Sequence, residues 1–91
     1  MGEQFEVLIN KRVTRRAKKI PGDVKTLISK HIHGLRDEPM PQGAIKLQGN
    51  LEGFRLRVGD YRILYTVDFK EKIVVIYLLL HRSEGYPNNM P

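Results

Sequence analysis

The chain has 91 residues, 41% hydrophobic and 29% charged, which suits one compact domain over residues 1–91 and excludes both a disordered chain and a multidomain enzyme. Sixteen basic against ten acidic side chains leave a net charge of +6, a field that favours a nucleic acid or an acidic protein as partner over a neutral small substrate. Cysteine is absent, so disulfides, thiolate metal sites and cysteine nucleophiles are excluded together, in keeping with a reducing compartment.

The start MGEQFEV lacks the basic then apolar layout of a signal peptide, and no apolar run approaches the roughly 20 residues of a bilayer span, so a cytoplasmic protein is expected. From Phe5 to Asn10, Phe5, Val7 and Ile9 alternate with Glu6 and Leu8, which predicts a short first strand that joins the main sheet. Arg12 to Lys19 is strongly basic, and Val13, Ala17 and Ile20 give it the thin apolar stripe of a short helix that Pro21-Gly22 ends. Arg15, Arg16, Lys18 and Lys19 on that helix are candidate RNA contacts.

Asp23 is the expected N-cap of a second helix reaching about Arg36, with Val24, Leu27, Ile28, Ile32 and Leu35 recurring at helical spacing. His31 and His33 lie two residues apart on it, point to different sides, and read as surface rather than as metal ligands. Asp37 to Gly43 holds two prolines and a glycine, a loop leading from the helices to the sheet. Ala44 to Leu47 is strand or extended, contributes Lys46 as a further candidate RNA contact, and precedes a turn near Gly49-Asn50.

The segment FRLRVGDYRILY, Phe54 to Tyr65, predicts a hairpin turning at Gly59-Asp60, with Val58 opposite Tyr61, Arg57 opposite Arg62, Leu56 opposite Ile63, Arg55 opposite Leu64 and Phe54 opposite Tyr65. Phe54, Leu56, Val58, Tyr61, Ile63 and Tyr65 then share a core face, and Arg55, Arg57 and Arg62 share the other. Like charges directly opposite destabilise a strand pair. A polyanion laid across them relieves the repulsion, and the planar guanidinium fork suits phosphate because it donates two hydrogen bonds at once.

After a polar loop at Asp68 to Glu71, the run IVVIYLLL from Ile73 to Leu80 predicts a central strand buried on both faces. HRSEGY follows, and then a polar tail at 87–91. Counting across that loop pairs Thr66 with Ile73 and Arg62 with Tyr77, which sends His81 to the arginine face and Arg82 to the core side; a bulge or a one-residue shift would turn Arg82 towards the arginines instead. No second ligand accompanies His81 and no nucleophile elbow is present, so neither a metal site nor a serine triad is expected. What remains is metal-free proton transfer and phosphate stabilisation, the chemistry of RNA cleavage through its own 2′-hydroxyl. Arginines would hold the phosphate, and His81 and Tyr86 would be the acid and base candidates, because arginine keeps its proton up to a pKa above about 12.

FRLRVGDYRILYTV followed by a strand and HRSEGY resembles the RelE/ParE superfamily of toxins from toxin–antitoxin systems, and the basic helix, the helix ending in LRDEPMPQG and the KLQG stretch occur in the order of that family. The resemblance implies a small α+β domain, two N-terminal helices packed on a twisted antiparallel sheet in the order β-α-α-β-β-β. It further implies a RelE-type enzyme that cleaves mRNA in the ribosomal A site without a cofactor or metal, and a RelB-like antitoxin partner that neutralises it. By position, Arg62 and Arg82 match the arginines that hold and neutralise the phosphate, and Tyr86 matches the tyrosine near the 2′-hydroxyl. Arg55 and Arg57 fall where some members have lysine. That departure makes both electrostatic groups and leaves His81 as a substitute acid. Two other functions share this fold: a ParE-like inhibitor of DNA gyrase, and an inactive antitoxin-binding module.

Overall fold

A computed structural model describes residues 4–85. Strand β1, Glu6–Ile9, leads into helix α1, Lys11–Ala17, and helix α2, Gly22–Gly34; strands β2, Ile45–Lys46, β3, Phe54–Val58, β4, Tyr61–Asp68, and β5, Ile73–His81, complete one sheet. The strands lie in the order β1-β5-β4-β3-β2. Two features depart from the expected all-antiparallel β-α-α-β-β-β arrangement. The short β2 adds a fifth strand against β3, and β1 runs parallel to β5, so the sheet is mixed. Parallel neighbours need a long crossover, and here the helices and the remaining strands lie between β1 and β5 in the chain.

Local chemistry explains the helices. The Asn10 side chain caps α1 by accepting the Arg12 N–H at 2.9 Å, and Arg15 and Arg16 fall in its last turn, where the helix dipole favours cations. Helix α2 is entered through Pro21 with no side-chain cap, so Asp23 is a first-turn anion rather than the N-cap that its sequence position suggested. Proline fixes the entry torsion, and an acid inside the first turn still interacts favourably with the dipole. His31 and His33 each bring Nδ1 to the carbonyl one turn back, of Leu27 at 2.9 Å and of Ser29 at 3.0 Å. Among the described residues no helix is long and apolar enough to cross a membrane.

The helices cover one face of the sheet. Val13, Ile20, Ile28, Ile32 and Leu35 meet Leu56, Val58, Ile63, Tyr65, Val74, Ile76 and Leu79 in the buried core. Each such aliphatic or aromatic side chain contributes roughly 1.5–3 kcal/mol on full burial. Tyr65 is completely buried, its hydroxyl donates to the Pro39 carbonyl at 2.9 Å, and burial pushes its pKa up to about 12. Beside it, Gly53 adopts φ +95°, and a Cβ there would lie 2.0 Å from the Tyr65 carbonyl oxygen, so only glycine permits this approach of the chain to β4.

The β3–β4 hairpin takes the expected register, from Phe54 opposite Tyr65 to Val58 opposite Tyr61. The β4–β5 register differs from the count. The turn is Phe69 to Lys72, with Asp68 opposite Ile73, which moves the pairing by two residues and leaves the faces unchanged. Asp68 Oδ1 sets this turn by accepting the Lys70 and Glu71 N–H groups at 3.1 and 2.9 Å. Further along, a bulge between Leu64 and Tyr65 and their partners Leu78 and Ile76 leaves Tyr77 as the extra residue and shifts the pairing by one more. That single residue exchanges the faces of everything beyond it. Arg62 stands opposite Leu80 and His81 opposite Tyr61, on the helix side, so His81 is not on the arginine face. Strand β5 lies one place off the sheet centre; it is buried at Val74, Ile76 and Leu79 towards the helices but reaches full burial on the other side only at Leu80, because the helices cover a single face.

Candidate functional site

The face away from the helices has two well-defined rows. Arg57, Arg62 and Leu80 form one across β3, β4 and β5, and Arg55, Leu64 and Leu78 form the next. Arg57 and Arg62 are a directly opposed pair, as the hairpin predicts. The face is more than a solvated cationic layer. Leu64 is fully buried and Leu80 is 8% exposed, although both lie outside the main core cluster. Their cross-strand neighbours Arg55 and Arg62 are half-buried, as expected where arginine stems cover apolar surface. Leu64 was visible in the sequence as the partner of Arg55, but nothing there marked it as a floor.

Each expected arginine has a definite place. Arg57 is exposed, and its Nε donates to the Gly59 carbonyl at 3.3 Å. The Arg62 side chain makes no hydrogen bond or ion pair with another described residue. Arg82 follows β5; its N–H donates to the Asp60 carbonyl at 2.7 Å, which continues the ladder against the hairpin turn, and alternation from Leu80 brings Arg82 to the Arg62 side. The bulge therefore frees Arg82 for the arginine face, the alternative that the simple count put second. Its Nε lies 3.7 Å from Asp60 Oδ1, with side-chain exposures of 63% and 60%, so water screens this pair strongly.

His81 packs edge-on against the Tyr61 ring, with centroids 5.0 Å apart. Its Nδ1 accepts the Ser83 N–H at 3.1 Å and lies 2.8 Å from Ser83 Oγ. A backbone N–H only donates, so Nδ1 is the acceptor and the neutral ring holds its proton on Nε2. Tyr86 and the tail at 87–91 lie outside the described residues.

The candidate RNA contacts separate into groups. Arg15, Lys18 and Lys19 are exposed on and just beyond α1. Arg16 is engaged instead: its guanidinium forms a two-pronged ion pair with Glu84, Nη1 donating to Oε2 at 3.1 Å and Nη2 donating to Oε1. Glu84 was not among the residues singled out from sequence, since a lone exposed acid has no distinguishing pattern. Hydrogen bonding from Arg16, then from the His81 N–H, holds the Glu84 carboxyl below the usual carboxylate range. Lys46 is exposed but stands opposite Phe54, which puts it on the helix side, while its neighbour Ile45 stands opposite Arg55. Among the described residues no group of three His, Cys, Asp or Glu could hold a metal ion.

Residues 7–86 match the model of the family described as the ParE toxin of type II toxin–antitoxin systems, parDE. Over 88 residues, 93% of this chain and 98% of the relative, the sequence is 30% identical to the RelE1 toxin candidate of Methanocaldococcus jannaschii. The fold is similar to that of RelE in the archaeal RelE–RelB complex of Pyrococcus horikoshii, with TM-score 0.77, 28% identity, and coverage of 90% of this chain and 99% of that one. It is also similar to the Mycobacterium tuberculosis toxin–antitoxin complex RelBE2, with TM-score 0.76, 28% identity, and coverage of 87% and 99%. The isolated Escherichia coli RelE toxin, at TM-score 0.73 and 15% identity over 90% of this chain and 88% of that one, shares the fold. With the hairpin arginines, the mixed sheet and these likenesses in agreement, the chain belongs to the RelE/ParE family and is a RelE-like toxin of a type II toxin–antitoxin system.

Proposed function

We propose that this toxin is a metal-independent mRNA endoribonuclease that works on the ribosome and so inhibits translation. The observation that supports it most is the directly opposed Arg57–Arg62 pair on the face that the helices leave open, flanked by Arg55 and followed by Arg82. Opposed guanidinium groups are unfavourable until an anion lies between them, and phosphate accepts two hydrogen bonds from each fork. In the reaction the substrate's 2′-hydroxyl gives up its proton to a base as its oxygen bonds to phosphorus, the bond to the 5′-oxygen breaks, and the leaving oxygen takes up a proton, which yields a cyclic phosphate and a free 5′-hydroxyl end. Arg62 and Arg82 neutralise charge developing on the phosphate, while Arg55 and Arg57 hold the backbone on either side. Tyr86 is the proton-transfer candidate. His81 packs against Tyr61 on the helix side, away from the arginines, and is given no part in the proton transfer. So few groups suffice because the ribosome aligns the 2′-hydroxyl for attack.

The partner expected to silence the toxin is a RelB-like antitoxin, since the similar toxins from P. horikoshii and M. tuberculosis are found in complexes with antitoxins. An acidic segment complements the net charge of +6. The test is to add purified toxin to programmed ribosomes and to naked mRNA and map the 5′ ends. Cleavage confined to the A-site codon is expected, with Arg62→Ala and Arg82→Ala each reducing the rate about 10²–10³-fold while the fold survives. Undiminished cleavage by both variants would remove the arginines from the site. The match to the ParE model favours a second reading, inhibition of DNA gyrase. A supercoiling assay separates it, because only that reading expects gyrase to stall while mRNA stays intact.

A further inference from the structure

The turn that follows β5 is held from two directions. The Glu84 N–H donates to the His81 carbonyl at 2.9 Å, and Glu84 Oε1 accepts the His81 N–H at 2.8 Å, which closes residues 81–84 into a tight loop. Arg82 sits inside that loop. On one side its N–H is tied to Asp60 at the hairpin turn, and on the other the same Glu84 carboxylate takes both prongs of Arg16 from helix α1. One turn earlier on α1, Arg12 Nε donates to the Tyr77 carbonyl at 2.9 Å, at the bulge that sets the faces of β5. The helix is thus joined to β5 at the bulge and to the loop beyond it.

We infer that Arg16 and Glu84 form a clasp that positions Arg82 over the phosphate-binding face, so that Arg16 serves the cleavage site without touching RNA. The inference rests on the ribonuclease reading for what Arg82 does, but not for where Arg82 is held. A bidentate arginine–carboxylate pair fixes direction as well as distance, which a lysine or a single hydrogen bond does not. It also gives Arg16 a role different from that of its neighbours Arg15, Lys18 and Lys19, which are exposed.

The test compares Arg16→Gln, Glu84→Gln and the exchanged double variant Arg16→Glu/Glu84→Arg in ribosome-dependent cleavage by the full chain. Either single change should lower kcat by about 10–100-fold with KM within about twofold of wild type, as expected when a reacting group is misplaced and substrate binding is kept. The exchanged pair should recover part of that loss, because the ion pair is restored while a guanidinium cannot accept the His81 N–H. An RNA-contacting Arg16 behaves otherwise: Arg16→Gln then raises KM, Glu84→Gln does not lower the rate, and the exchange rescues nothing, an outcome that overturns the clasp. Amide hydrogen exchange gives a readout independent of activity. Protection of the Arg82 N–H should fall about tenfold or more in Glu84→Gln, with the Ile76 N–H unchanged, since local opening sets protection. Unaltered protection at Arg82 overturns the clasp as well. If wild-type toxin fails to cleave while Arg82 protection falls as stated, the ribonuclease reading is lost and the clasp stands.

Discussion

The two faces of this sheet are built from the same strands and obey different constraints. Towards the helices, side chains from all three longer strands interlock with Ile28, Ile32 and Leu35, and polar atoms enter only where they are satisfied, as at the Tyr65 hydroxyl. On the other face a much thinner apolar layer, centred on Leu64 and Leu80, underlies cations that repel one another. The helix side is stabilised by apolar burial, whereas the open face sets half-buried arginines beside a few buried leucines and holds Arg57 directly opposite Arg62 at a cost in repulsion.

Cavity-forming substitutions on each face test that contrast most severely. Ile76→Ala on the helix side is expected to cost about 3–5 kcal/mol and Leu64→Ala on the arginine side about 2–3 kcal/mol, measured by urea denaturation. A cost below about 0.5 kcal/mol at Leu64 would mean that the arginine face is solvated throughout and has no floor.

Tyr65→Phe comes next. It leaves the Pro39 carbonyl without its donor and should destabilise by about 1–2 kcal/mol. Folded Tyr65 keeps its proton to about pH 12, whereas in the unfolded chain it ionises near pH 10.0. In that window the folded state holds the extra proton, so stability present below the unfolded pKa is lost as pH rises. Alkaline melts of the wild type should show this decline and those of Tyr65→Phe should not. Equal slopes would place the ionising tyrosine elsewhere.

The smallest expected effect sharpens the picture of the open face. Arg57→Thr keeps a strand-forming residue and removes one member of the opposed pair, so stability should rise by roughly 0.2–1 kcal/mol at low salt and the gain should shrink as salt is added. A loss at low salt would show that the stem and its hydrogen bond to Gly59 outweigh the repulsion.

Much of this was legible in the chain because it depends on local chemistry. The alternation in FRLRVGDYRILY and the Gly59-Asp60 turn dictate the hairpin register and the opposed Arg57–Arg62 pair, since side chains on a strand alternate with period two. The two helices likewise follow from apolar spacing and from Pro21. Other features depend on which segments meet. The parallel union of β1 with β5 joins strands far apart in sequence, and no local signal specifies it. The bulge at Tyr77 adds one residue to a run in which every position is apolar, so the sequence pattern is the same with or without it. Yet that residue decides that His81 faces Tyr61 and Arg82 joins the arginines, because a shift of one residue exchanges the two faces of a strand. Arg16 and Glu84 are 68 positions apart; the sequence marks Arg16 as one cation of a basic run and does not mark Glu84, and the packing of α1 against β5 brings their guanidinium and carboxylate within two hydrogen bonds of each other.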